Sequence, residues 1–186
     1  MNVFFSSDTH YYHENIIKYC SRPFRDASEM NVSMAEAWNS RVGPDDVAFH
    51  LGDVSAGLRD NAEGLRLIVG SLRGRKILVR GNHDHLPDEW YLAAGFHSVF
   101  NVLRLGDVLL THYPLHEALS RGLDLPPLET LEFVVHGHSH RTDVPDYEDH
   151  FNVAVDRHGF APVESALVIP SRIHQKFLEE TISLFS

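Results

Sequence analysis

Five short polar clusters hold residues that bind metal ions or move protons: Asp8-Thr9-His10, Gly52-Asp53, Gly81-Asn82-His83-Asp84, His112, and His136-Gly137-His138-Ser139-His140. Carboxylate and imidazole together suit Mn, Fe, Co, Ni or Zn, and Asn82 can add a neutral carbonyl oxygen while the adjacent His83 stays free. In the last cluster the histidines alternate with glycine and serine, so on an extended chain all three would point the same way. Cys20 is the only cysteine, which excludes an internal disulfide and a thiolate zinc cluster. The ligand types therefore point to a hydrolytic rather than a structural metal. Any one of these clusters alone is an ordinary turn or cap; their recurrence carries the reading.

Each cluster closes an apolar run of strand length, at 3–10, 47–53, 76–84, 108–114 and 132–140. Where buried strands end side by side in an α/β sheet, the loops after their C-terminal ends form a crevice. Helices are expected between the runs. Asp26 with Glu29 reads as a capping box before Met30, Met34 and Trp38 at helical spacing, and Gly43-Pro44 stops that helix. Asp60 with Glu63 does the same for Leu65, Ile68, Val69 and Leu72, and Asp88 to Ala94 predicts a third helix closed by Gly95. The segment 103–110, turning at Gly106-Asp107, predicts a hairpin, 151–156 a further strand, and Arg172 to Thr181 a terminal helix. Strands alternate with helices in the first half and pair in the second, which predicts an α/β protein of two packed sheets with helices outside.

At 186 residues the chain suits one domain, 1–186, with a substantial core. The net charge of −10 disfavours a module that grips long nucleic acid through a broad basic surface. No apolar run approaches the roughly 18 residues of a membrane span, and the start, MNVFFSSDTH, lacks the pattern of a signal peptide. The expectation is a cytoplasmic protein with no membrane partner. Of the 14 histidines, His50, His97, His116, His150, His158 and His174 fall outside the clusters and are read as surface or structural residues.

Taken together, the five clusters, in this order and each after a strand-like run, resemble the calcineurin-like metallophosphoesterases. The likeness is strongest to the small single-domain bacterial and phage phosphoesterases, given SSDTHYYHENIIKYCSRPF near the start and FNVAVDRHGFAPV near the end. The resemblance spans the chain except about the last twenty residues. It implies an α/β/β/α sandwich with two divalent metal ions at the strand ends, Mn foremost, with Fe, Ni, Co, Zn or Mg open. Carried over residue by residue, Asp8, His10 and His140 would hold one ion, Asn82, His112 and His138 the other, and Asp53 would bridge them. His136 lies outside the motif, with a packing or supporting role. The implied activity is in-line attack on a phosphate ester by a hydroxide between the ions. His83 would protonate the leaving group, and Asp84 would orient His83. Two dications against two carboxylates leave the site locally positive although the protein is anionic, because distant charges are screened over roughly 8 Å.

The departures from the family pattern are informative too. Protein phosphatases of this superfamily carry G-D-x-x-D-R-G, whereas here Gly52-Asp53-Val54-Ser55-Ala56-Gly57 lacks the second Asp and the Arg. The small phosphoesterases often have Phe-Gly-His after D-T-H; here Tyr11-Tyr12-His13 follows, and Tyr12 is expected to narrow the entrance. Arg22, in Arg22-Pro23-Phe24, and His13 are the foremost candidates for substrate contact, ahead of Arg25, Arg80 and His85; Asp156 is read as a support for its strand end. The substrate is expected to be a phosphodiester, such as a nucleotide or a short single-stranded nucleic-acid end. A phosphomonoesterase acting on a small metabolite stays open. An adaptor that has lost catalysis is disfavoured because every motif position is filled. A lipid-sugar pyrophosphatase would need a longer lid than 116–129.

Overall fold

The computed structural model describes residues 1–56, 61–141, 143 and 147–185. The first apolar run forms β1 (Val3–Ser6), and alternate side chains along it enter different cores: Val3 and Phe5 one, Phe4 another. The same division holds in β2 (Val47–His50) and β3 (Arg75–Val79), where Phe49 and Ile77 join Phe5 while Ala48 and Leu78 join Phe4. Strands apolar on both faces need a layer on each side, which explains why these runs read as continuous rather than alternating. They pair in parallel with β4 (Phe96–Phe100), and β9 (Val163–Glu164) closes the sheet antiparallel, in the order β4-β3-β2-β1-β9.

The second sheet runs β5 (Leu103–Leu105), β6 (Val108–Leu110), β7 (Phe133–His136) and β8 (His150–Asn152) in that spatial order. β5 and β6 form the expected hairpin about Gly106-Asp107, and the other pairs are parallel. Val108, Leu110, Phe133 and Val135 share one core with Phe5, Phe49 and Ile77, so the two sheets pack face to face.

On the outer face of the first sheet lie α2 (Ala27–Arg41), α3 (Ala62–Ser71) and α4 (Asp88–Ala94), through Met30, Met34, Trp38, Leu65, Val69 and Tyr91. Asp26 caps α2 by accepting from the Glu29 N–H at 2.8 Å, while the Glu29 carboxylate accepts from the Arg25 N–H instead of completing the capping box. Asn61 stands at the start of α3; Asp60 lies outside the described residues. Gly95, at φ +114°, ends α4 in the left-handed region. The terminal helix α7 (Ser171–Ser183) inserts Ile173 and Phe177 into the inter-sheet core. The layer beside the second sheet is thin: α5 (Leu115–Ser120) lines a groove with Tyr147 and His150 at the start of β8. The architecture is the expected α/β/β/α sandwich.

β4, β9 and the short helices α1 (Glu14–Tyr19) and α6 (Ser165–Val168) were not expected from the sequence. The strand expected over 151–156 stops at Asn152, whose side chain accepts from Ala154 N and donates to Ser139 O, and Val155–Arg157 form a 3₁₀ turn. No helix among the described residues is long and apolar enough to cross a membrane. Parallel register aligns the ends of β1, β2 and β3, and a parallel bridge from Ser7 to Ala154 joins that edge to the loop after β8. The loops carrying the polar clusters thus leave both sheets at one rim.

Candidate active site

Three carboxylates tie these loops together. Asp8 Oδ2 accepts from the His138 N–H at 2.9 Å, and Asp53 Oδ1 accepts from the His83 N–H at 2.9 Å. The buried Asp84 accepts from the N–H groups of Asp53 (2.7 Å), Gly81 (2.9 Å) and Val54 (3.1 Å) and from the Tyr91 hydroxyl (3.4 Å). Asp84 was expected to orient His83. It holds the backbone of the Gly52-Asp53 turn instead, so it acts on Asp53.

The motif glycines are required by close approach. A Cβ on Gly81 would lie 2.2 Å from Asp53 Oδ1 and 2.6 Å from Asp53 N, and one on Gly137 would lie 2.0 Å from Ser7 Oγ and 2.4 Å from Asp8 Oδ2. Several residues of these clusters also sit in the left-handed region: Asp8 (φ 59°), His10 (φ 50°), Asp53 (φ 56°) and His138 (φ 67°). For the histidines this costs about 1–3 kcal/mol each. A net hydrogen bond contributes about 1 kcal/mol, and about 1.5–3 kcal/mol to a charged acceptor, so the cross-ties to Asp53 O and Asp8 Oδ2 are of the size needed to offset this strain. The left-handed turn at His138 also breaks the extended alternation. His136 ends β7, is buried and hydrogen-bonds Gly137 O, while His138 and His140 enter the site.

The protonation of the imidazoles follows from their outer partners. His112 Nδ1 lies 2.8 Å from Leu51 O, and a carbonyl can only accept, so Nδ1 carries the proton and the neutral ring's Nε2 is a lone pair. That lone pair faces Asn82 Oδ1 at 3.1 Å, His138 Nδ1 at 3.2 Å and Asp53 Oδ2 at 3.5 Å. His138 in turn places Nε2 3.2 Å from Glu117 Oε1, which leaves Nδ1 as its lone pair. Across the site His140 Nδ1 donates to Asp156 at 2.7 Å, and its Nε2 faces Asp8 Oδ1 at 3.6 Å. His10 Nε2 stands 3.6 Å from Asp53 Oδ2. Asp8 Oδ1 and both nitrogens of His10 are buried with no hydrogen-bond partner.

Acceptors converging on acceptors, with orphaned buried atoms among them, fit a divalent cation in each group: Asp8, His10 and His140 around one, Asp53, Asn82, His112 and His138 around the other. Asp53 Oδ2 lies within reach of both. Burial pushes the Asp53 carboxyl up to about 6, with His112 opposing and the Asp8 charge adding to the rise. Burial, followed by neighbouring charges, lowers His10 and His138, favouring the neutral form that ligates. His140 is the exception. Burial opposes its charge, but bonds to Asp156 and Cys20 and the Asp8 charge raise it to about 10, so cation binding there releases a proton.

His83 and His13 stand at the rim, with ring centroids 5.3 Å and 5.4 Å from that of His10. His83 Nε2 is 4.0 Å from Asp53 Oδ2, and the side chain is 43% exposed. Arg22, expected to meet substrate, does not reach it. Its guanidinium is 0% exposed, and its donors go to Asp156, Thr9 O, Asp8 O and the Met30 sulfur. It braces Asp156 and the Asp8 backbone, and so acts behind the ligands. Tyr12, expected to narrow the entrance, points away from it: its hydroxyl packs against Gly64 of α3, in a groove with Asn31 and Ile68. Arg25 pairs with Asp26 at the surface, and Arg80 stacks on Tyr91 and bonds Asp84 O. Glu117 and the roles of Cys20 and Leu51 O were not legible in the sequence. Only the expectation that Asp156 supports a strand end pointed this way.

Residues 1–156 match the model of the calcineurin-like phosphoesterase superfamily domain. An uncharacterised protein of Methanocaldococcus jannaschii is 30% identical over 173 residues, covering 90% of this chain and 89% of its own. The Gene 66 protein of Mycobacterium phage L5 is 28% identical over 161 residues, covering 75% of this chain and 77% of its own. Among solved structures, a protein of unknown function from Aquifex aeolicus superposes with a TM-score of 0.69 at 26% identity, over 89% of this chain and 96% of that one.

Proposed function

This chain belongs to the calcineurin-like phosphoesterase superfamily and is a metal-dependent hydrolase of phosphoric esters, and we propose that its substrate is a phosphodiester, of the nucleotide or nucleic-acid-end class, cleaved with two divalent ions, manganese foremost. The observation that carries the reading is the double convergence of lone pairs, with Asp53 Oδ2 3.5 Å from His112 Nε2 and 3.6 Å from His10 Nε2. When bound, the ions acidify a water and neutralise phosphoryl charge.

The chain's own residues do the rest. Glu117, Asp156 and Leu51 O fix which nitrogen of each ligand imidazole is bare. Asp84 holds Asp53 between the two groups, and the fold excludes water behind them. His83, exposed at the rim and outside both ligand groups, supplies the proton to the leaving alkoxide; His13 beside it meets the phosphoryl oxygens.

Charge supports a diester. A monoester dianion calls for guanidinium or ammonium donors, whereas Arg22 has spent its donors inside the protein. His13, whose charged form is disfavoured by burial and by the neighbouring cationic groups, is a neutral donor that suits the single charge of a diester. A single catalytic domain over 1–186 belongs to the same reading, because the inter-sheet core draws on residues from Val3 to Phe177. So does a cytoplasmic setting, where the lone Cys20 needs no partner. The test is kcat/KM for bis-p-nitrophenyl phosphate and for p-nitrophenyl phosphate, with metal-stripped protein restored by Mn²⁺. A diester preference of tenfold or more is expected; a monoester preference would replace this reading with hydrolysis of a small metabolite.

A further inference from the structure

A cleft of about 580 Å³ opens beside the second ligand group, lined by Arg80, Gly81, Asn101, Tyr113, Leu123 and Asp124 among others. That is enough room for a nucleoside-sized group. Its position relative to the reacting phosphorus follows from two of its walls. Gly81 directly precedes Asn82 and lies against Asp53, and the Tyr113 ring meets His112 and His138 edge-on, at 4.9 Å and 4.8 Å between centroids. A group in this cleft is therefore one residue from a candidate metal ligand on two sides, while the His83 ring stands on the other flank, 5.3 Å from that of His10.

The charges at the cleft decide what it accepts. Arg80 is turned inward: it donates to Asp84 O at 2.6 Å, pairs with the Asp88 carboxylate and lies 4.9 Å over the Tyr91 ring. Arg121, next to Gly122 at the border, lies 4.4 Å over Tyr113 and gives two hydrogen bonds to Glu117, at 2.9 Å and 2.7 Å. Arg80 is thus held by protein groups, and Arg121, 45% exposed and held by Glu117 through Nε and Nη2, borders the cleft without lining it. Among the described residues, Asp124 and Asn101 are exposed polar side chains in the lining with no intramolecular hydrogen-bond or ion-pair partner. A carboxylate only accepts hydrogen bonds, so an occupant must bring donors. A second phosphate there would meet a like charge.

We infer that this cleft seats one of the two groups esterified to the diester phosphate, and that this group is uncharged and bears hydroxyl or amino donors, as a nucleoside or a sugar does. The inference rests on the diester hydrolysis proposed above and adds which substrates it favours: those in which the ester group seated here carries no further phosphate.

The test compares kcat/KM of the Mn²⁺-loaded enzyme on a dinucleoside monophosphate, on a phosphodiester of two sugars, and on the same dinucleoside bearing terminal phosphates. Bis-p-nitrophenyl phosphate, whose leaving group has no donors, serves as the reference. The uncharged dinucleoside, the uncharged sugar diester or both are expected to exceed the end-phosphorylated substrate at least tenfold; which of them does so tells nucleoside from sugar. Asp124→Ala is expected to shrink that ratio to threefold or less, and Asp124→Lys to raise the end-phosphorylated substrate above its wild-type rate relative to the reference. Equal kcat/KM for charged and uncharged substrates in the wild type, or a ratio untouched by both substitutions, would overturn the inference. Loss of activity on the reference diester itself would instead count against diester hydrolysis.

Discussion

His83 stands outside both ligand groups with its side chain 43% exposed, while its backbone N–H holds Asp53. Because the backbone contact survives truncation, His83→Ala should lower kcat by roughly 10²–10⁴-fold, the range for a lost general acid, with metal content unchanged by atomic absorption. Metal loss in that variant would make His83 a ligand. Glu117 works at one remove. It contributes by fixing the bare nitrogen of His138, so Glu117→Ala should weaken binding at the second ion by roughly 10–100-fold in calorimetric titration, and Glu117→Gln, which can still accept, should recover most of it. His50 makes a different prediction. Fully buried against Thr9 and Trp38, it is lowered by burial to about 4. The unfolded chain therefore takes up a proton below about 6.5 that the folded chain refuses. This contribution to stability is complete above about 6.5 and declines by up to about 1.4 kcal/mol per pH unit as pH falls toward 4. Urea midpoints from pH 7 to pH 5 should fall less in His50→Gln than in the wild type; parallel slopes would show that His50 is not responsible.

Among the elements, the parallel strands β1, β2 and β3 were legible because each is a short β-branched or aromatic run closed by a polar cluster. Their ends are the crevice. β9 was not legible, since two residues carry no periodicity and are defined only by their antiparallel pairing, Val163 with Phe5 and Glu164 with Phe4. β4 has a mixed burial pattern at the sheet edge, which blurs the signal. The loops held the least legible part. That His138 and His140 would enter the site while His136 stayed in the core came from the family resemblance and not from the alternation, which cannot report the left-handed residue at 138. Likewise Arg22 looked like a substrate contact because it neighbours the motif; its partner Asp156 lies 134 residues away. The glycines test the element level directly. Gly81→Ala would push a Cβ against Asp53, so we expect about 1–3 kcal/mol of destabilisation in urea melts together with weakened metal binding. Wild-type stability and metal affinity in that variant would show that the two loops do not need this approach.

The whole molecule is a scaffold whose stability and chemistry are separable. The inter-sheet core from Val3 to Phe177 and the helical layer around Met30 and Trp38 hold the fold without using a ligand. Strained loops can therefore sit at the shared rim, and the net charge of −10 does not keep an anionic ester away from it, because distant charges are screened. The motifs pointed to the family, and the match over residues 1–156 shows it. Which oxygen lies between the two groups, and which nitrogens are bare, required three dimensions. The most direct test of the central claim is the number of Mn²⁺ ions bound per chain by the metal-stripped protein, counted by calorimetry while diester hydrolysis is followed, in the wild type and in Asp53→Asn. The account predicts two ions per chain, activity that appears only as the second binds, and loss of both the second ion and the activity in Asp53→Asn. Full activity with one ion, or two ions and an unchanged rate in the variant, would contradict it.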